Sequence, residues 1–281
     1  MPAAYLPEQR FVRVSGPDAE PFLQNLITTD LDALAADEAR AGALLTPQGK
    51  ILFDFTVWRD RDALVLETEV SQQDALLRRL AMYKMRAPVD IAAMPDEGTT
   101  VTWGEHADEA GPADLRFVKA GIRLVRRPGR SETEVPAGDY ERLRVEAAVA
   151  VSGADFALQD AFPHDVLMDL NGGLSFRKGC YVGQEVVSRM QHRGTARRRL
   201  AHIDATGALP ESGTPITAGG KPVGALGTVC GTIALAIVRT DRVGAALAAD
   251  IPLMAGDMTV TASLPDWTGL GFPAGDDEAE A

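Results

Sequence analysis

Gly173-Leu174-Ser175-Phe176-Arg177-Lys178-Gly179-Cys180-Tyr181-Val182-Gly183-Gln184-Glu185 is the stretch on which the reading of this chain turns. Two glycines bracket a thiol and an aromatic ring. Downstream, Val182, Val186, Val187 and Met190 give the segment a helical apolar face, which predicts a helix with Cys180 near its N-terminus. A thiol in that position, beside Arg177 and Lys178, gains thiolate character from the helix dipole and from the positive charge. The other reading of a lone cysteine is a small buried residue at a tight turn.

The bulk composition bounds what such a thiol can serve. With 281 residues and 46% hydrophobic content, the chain can bury two or three compact units. Met1 to Arg13 lacks the pattern of a secretory signal and does not resemble a transit peptide. The longest strongly apolar run, Ile233 to Val238, is far below the roughly 20 residues of a membrane helix, so no membrane partner is expected. Cys180 and Cys230 are the only cysteines, which suits a reducing, cytoplasmic setting. The histidines His106, His164, His192 and His202 are scattered, and no built-in metal site is expected.

A net charge of −12 argues against general nucleic-acid binding, which rests on cations neutralising phosphates. Yet Arg177, Lys178, Arg189, Arg193, Arg197, Arg198 and Arg199 fall together with only one acid, Glu185, whereas Asp250 to Ala281 carries acids alone. A local basic surface of this kind fits an anionic small ligand, an acidic partner, or a solvated face with surface pairs.

Periodicity supplies the elements around this stretch. Apolar Phe22, Leu23, Leu26 and Ile27 predict a helix entered at Pro21 and ending near Thr29. Ala43 to Leu45, the turn Pro47-Gln48-Gly49, Ile51 to Trp58 and Ala63 to Thr68 read as strand, turn, strand, strand. Ser71 to Met82 reads as a helix with a serine cap, followed by strands at Val89 to Ala92, Thr99 to Trp103 and Ile122 to Arg126, and a helix over Tyr140 to Val149. This is an α+β pattern with an antiparallel sheet. Beyond Arg198 the short runs Leu200 to Ile203, Pro215-Ile216, Pro222 to Thr228, Thr232 to Val238 and Met258 to Ala262 predict a small β-barrel or sandwich.

The opening stretch resembles the K-G-C-[FY]-x-G-Q-E signature of the YgfZ family, bacterial proteins with a mitochondrial counterpart that acts late in iron–sulfur cluster assembly. Its motif residues here are Lys178, Gly179, Cys180, Tyr181, Gly183, Gln184 and Glu185. Phe22 to Asp30 resembles the F-L-Q-x-x-[LV]-T-x-D segment that this family shares with the glycine-cleavage aminomethyltransferases. Gly220-Lys221-Pro222-Val223-Gly224 resembles part of their β-barrel. The resemblance implies three domains: residues 1–42 plus 138–196 as a discontinuous folate-binding α+β domain, 43–137 as a ferredoxin-like domain, and 197–268 as a C-terminal β-barrel. An acidic tail over 269–281, poor in residues to bury, is expected to be disordered.

The same resemblance implies tetrahydrofolate, or a folate derivative, as the bound cofactor. Asp54 matches the acid beside the reactive folate nitrogens, although an aspartate in an apolar strand also suits a turn anchor or an arginine partner. Glu146 matches the carboxylate that receives the pterin edge in an R-L-E-A-G run, and Ala148 stands where that run has glycine. Tyr181 is a stacking or core residue. Arg193 and Arg198, with their neighbours Arg197 and Arg199, are candidates for the glutamate carboxylates of the ligand. Two cysteines are too few to hold a cluster within one chain, so the expectation is a reactive Cys180 acting transiently. The implied function is a folate-binding accessory factor for assembly or repair of iron–sulfur proteins, [4Fe–4S] enzymes in particular, with assembly proteins or client enzymes as partners. A folate-dependent aminomethyltransferase or demethylase, and an interaction protein with a decayed folate site, are the alternatives.

Overall fold

The computed structural model describes residues 2–104, 111–131 and 135–273. The chain divides into two compact units, one running up to Tyr140 and adding Met168–Val186, the other formed by Glu141–Leu167 and the chain from Val187 onward. The first unit holds strands β1 (Ala3–Leu6) and β2 (Gln9–Ser15), helix α1 (Ala19–Gln24), strands β3 (Glu38–Leu45), β4 (Ile51–Asp60) and β5 (Ala63–Glu69), and helix α2 (Val70–Lys84). Strands β6 (Asp90–Ala93), β7 (Thr99–Trp103) and β8 (Ala113–Asp114), helix α3 (Leu115–Lys119) and strand β9 (Leu124–Pro128) complete it. Helices α4 (Ala137–Glu146) and α5 (Gln184–His192) follow.

The nine strands form one sheet in the order β1-β7-β9-β8-β3-β4-β5-β2-β6. All its neighbours are antiparallel except β3 and β8. The expected boundary between residues 42 and 43 falls inside β3, whose Gly42 and Ala43 pair consecutively with Phe55 and Asp54 of β4. Alternation along β4 decides the two faces of the sheet. Phe53, Phe55 and Val57 enter the main core with Leu76 and Leu80 of α2, while Thr56 and Trp58 point the other way.

On that opposite face lies a buried ionic network. Arg126 on β9 donates to both oxygens of Glu67 on β5, and at 3.1 Å to Asp114, which also accepts from Arg116 at 2.6 and 2.9 Å. Arg116 reaches the Thr56 hydroxyl at 2.9 Å and Thr99 donates to Glu67 at 2.8 Å. Burial alone raises the Asp114 carboxyl, but the charge and hydrogen bonds of Arg116, joined by the Arg126 charge, outweigh it and hold the group below its ordinary value.

Two helices depart from the expected spans for identifiable reasons. Helix α1 stops at Gln24 rather than near Thr29, because the Asn25 side chain turns back to the Pro21 carbonyl and Thr28 donates its backbone N–H to Ala43 in β3. Sheet pairing overrides the helical spacing. Helix α2 starts one residue before Ser71 and is capped by Glu69, whose carboxylate accepts from the Ser71 N–H at 3.2 Å.

The second unit carries a closed six-stranded barrel in the order β10-β13-β12-β11-β14-β15. Its strands are β10 (Arg198–Asp204), β11 (Pro215–Ala218), β12 (Lys221–Cys230), β13 (Ile233–Arg239), β14 (Leu253–Ala255) and β15 (Met258–Ser263), with helix α6 (Thr240–Ala248) between β13 and β14. Strand β14, only three residues long, and helix α6 were not foreseen. The segment expected as a disordered tail from 269 is ordered at its start. Phe272 packs on the barrel core and the Pro273 carbonyl lies against Gly244 of α6. Residues 274–281 lie outside the described residues.

Candidate functional site

The Cys180 loop is assembled by residues brought from far along the chain. Thr28 sits at its base: its hydroxyl donates to the Gly173 carbonyl at 2.6 Å and accepts from the Ala43 N–H at 2.9 Å, and its own carbonyl accepts from the Ser175 N–H at 3.0 Å. Lys178 bolts the loop to the same segment, donating to the carbonyls of Ile27 and Thr29 at 2.8 and 2.7 Å. Its ammonium also lies 5.4 Å from the centre of the Tyr181 ring. Burial pushes the Lys178 amine down to about 8 against the opposing pull of Asp30 and Asp32.

Tyr181 is buried, and its hydroxyl closes the loop by donating to the Ser175 carbonyl at 3.0 Å. Burial pushes its phenol up. The ring therefore packs within the loop that its hydroxyl closes. Gly183 has φ +80°, and a β-carbon there would stand 2.5 Å from the Thr46 carbonyl oxygen, so only glycine fits against the β3–β4 turn. Gly179 is different: no atom lies within 4 Å of where its β-carbon would be.

Cys180 itself is exposed, four residues ahead of α5 rather than in its first turn. The buried-residue reading of this cysteine is thereby excluded. The hydrogen bonds of Lys178, expected beside the thiol, go to the Ile27 and Thr29 carbonyls. Gln184 and Glu185 open α5. Cys230 is half-buried, and burial raises its thiol, so Cys180 is the thiol presented to solvent.

Asp54 lies half-buried on β4, where the Gln72 carboxamide meets it twice. Gln72 donates to its carboxylate at 2.9 Å and accepts from its backbone N–H at 3.3 Å, while Thr68 donates to its carbonyl. Gln72 was missed in the sequence, although it occupies the inward row of α2 with Leu76 and Leu80, where a polar side chain signals a buried partner. Asp54 thus meets a glutamine on α2, a partner not considered for it in the sequence.

Glu146, Arg193 and Arg198 belong to the second unit. Glu146 is exposed at the end of α4 and pairs with Arg142 one turn earlier at 2.8 Å. Arg144, which sequence reading passed over, is the buried member of this helix, bound to Asp155, Glu141, Thr228 and the Val149 carbonyl. Arg193 is exposed. Arg198 pairs with Asp160 and Asp165 and lines a cleft of about 410 Å³ with Arg239, Arg242 and Asp155. Ala148 stands at φ +55° just beyond α4. Among the described residues no three His, Cys, Asp or Glu side chains gather as a ligand set for a metal ion, and no helix is long and apolar enough to cross a membrane.

The fold is that of the aminomethyltransferases. The glycine cleavage system aminomethyltransferase T of Bartonella henselae superposes with a TM-score of 0.69 over 94% of this chain and 85% of its own, at 14% identity. The CAF17 C-terminal β-barrel domain family matches residues 197–270. The chain belongs to the IBA57 family. It is 31% identical to the human mitochondrial iron–sulfur cluster assembly factor IBA57, over 91% of this chain and 82% of that protein. The mouse counterpart is 29% identical over the same shares. The Chaetomium globosum homologue is 31% identical over 70% of this chain, and there the match spans only 54% of the relative's length.

Proposed function

We propose that this chain is a tetrahydrofolate-binding accessory factor for the assembly or repair of iron–sulfur proteins, [4Fe–4S] enzymes in particular. One observation carries the reading: Cys180 is exposed on a loop whose other motif residues hold it in place, Lys178 and Tyr181 through hydrogen bonds and Gly183 through close packing. The relatives described as iron–sulfur cluster assembly factors support it. A fixed, accessible thiol suits transient ligation at a meeting with an assembly protein or client, and two thiols fall short of the four ligands that retention of a cluster takes. The cluster is cargo in this reading.

Folate would bring a reduced pterin whose nitrogens carry one-carbon groups. Asp54, fixed by Gln72, is suited to accept a hydrogen bond from such nitrogens, Glu146 to receive the pterin edge, and Arg193 and Arg198 to meet glutamate carboxylates. Two free thiols are consistent with a cytoplasmic location and equally with the mitochondrial one named for the relatives. The exposure of Glu146 and its pairing with Arg142 favour a second reading, an interaction protein whose folate site has decayed.

Calorimetric titration of the anaerobic protein with tetrahydrofolate tests the ligand. Saturable binding that is lost in Asp54→Ala and Glu146→Ala is expected, and no heat at millimolar ligand selects the second reading. A Cys180→Ser protein that supports cluster-dependent enzymes in cells as well as wild type would sink the thiol's part.

A further inference from the structure

The two most exposed large hydrophobic side chains among the described residues sit on α2 and immediately after it. Met82 is 70% exposed and Met85, at the end of the helix, is 88% exposed, whereas Leu76, Leu80 and Tyr83 on the opposite face pack on the sheet. Arg78 and Met82, four residues apart, share one stripe of α2, and Met85 follows directly after the last helical residue. Residues 75–89 contain Arg78, Arg79, Lys84 and Arg86 and no acid, in a chain of net charge −12. Among the described residues none of these four side chains takes part in a hydrogen bond or ion pair.

The helix dipole accounts for cations near the end of α2. It gives no reason for two uncovered methionines between them. Met85 is moreover held at φ +46°, a backbone conformation that non-glycine residues adopt at a conformational cost, without its side chain being buried in return.

From this combination we propose that the Arg78–Met82–Met85–Arg86 face is a docking surface for an acidic amphipathic segment of a partner protein. Flexible thioethers adapt to the apolar side of such a segment, and the exposed Arg78 and Arg86 meet its carboxylates. Charge complementarity selects the acidic partner. The apolar residue type selects protein over lipid, since interfacial insertion favours Trp, Phe and Leu. The surface lies on α2 and is independent of the folate and thiol readings.

The test uses the full-length protein carrying ¹³C-methyl methionine, titrated with a synthetic helical peptide that presents glutamates on one face and leucines on the other. The Met82 and Met85 methyl resonances, assigned with Met82→Leu and Met85→Leu, are expected to shift saturably. Binding should weaken about tenfold in Arg78→Glu/Arg86→Glu and at about 0.5 M salt. Unmoved Met82 and Met85 resonances at millimolar peptide would overturn the proposal, as would an equal response to a peptide with lysines in place of the glutamates. Shifts produced by phosphatidylglycerol vesicles and not by the peptide would assign the face to lipid instead. Concentration-dependent shifts in the protein alone would assign it to a second copy of this chain.

Discussion

The Lys178 ammonium donates a 2.7 Å hydrogen bond to the Thr29 carbonyl oxygen, joining two sequence motifs 149 residues apart. Burial has lowered this amine to about 8, so between pH 8 and the unfolded value near 10.5 the unfolded chain binds more protons than the folded one. Stability contributed through this group therefore rises with pH across that window, and its burial penalty is fully present below it. Urea unfolding of wild type and Lys178→Met at steps from pH 7 to 10 should show the difference moving in favour of wild type as pH rises. A difference independent of pH would show that the amine is not depressed.

Gly183 and Gly179 form a matched pair for separating fold from function. Gly183→Ala places a β-carbon 2.5 Å from the Thr46 carbonyl at positive φ and is expected to cost about 1–3 kcal/mol, read by chemical denaturation. Gly179→Ala meets no atom within 4 Å and should change stability by less than about 0.5 kcal/mol. If Gly179→Ala nevertheless impairs support of cluster enzymes in cells, something approaches the loop there that the fold does not require.

The buried pair Arg126 and Glu67 predicts a large loss when one partner alone is removed. Arg126→Met leaves the Glu67 carboxylate, only 2% exposed, without its guanidinium and should cost about 3–5 kcal/mol in urea unfolding. The double variant Arg126→Met/Glu67→Leu should recover most of that loss.

Asp114 predicts sensitivity to acid. Its carboxyl is held below the ordinary value, so the stability it contributes is complete above about pH 4 and is lost as pH falls through the folded value. Asp114→Asn should flatten the acid limb of the stability profile measured from pH 6 to 2.

Ala148 occupies the left-handed position that ends α4. The Val149 N–H reaches the Arg144 carbonyl and the Ala148 N–H that of Val145, a Schellman arrangement in which glycine is favoured. Ala148→Gly should raise the stability of the protein by about 1 kcal/mol, read as an increased denaturation midpoint. The alanine noted as a departure from the R-L-E-A-G run is thus a strained helix terminus.

Much of this arrangement was legible before folding was considered. The two-residue alternation of Phe53, Phe55 and Val57, the spacing of Leu76 and Leu80, and the short Gly- and Pro-bounded runs after Arg198 each record a local geometry in consecutive letters. The signature around Cys180 marked the loop, and the segment ending in Asp30 marked its base. What the letters did not carry was who meets whom. The sequence determined the elements, the barrel and the identity of the loop, because periodicity and turn chemistry act over a few residues. Only the tertiary structure decided that α1 yields to sheet pairing at Thr28, that Gln72 grips Asp54, that Arg126 neutralises Glu67, and that Lys178 faces the Thr29 carbonyl. Each of these depends on hydrogen-bond geometry and desolvation between residues far apart in the chain, which no local spacing encodes.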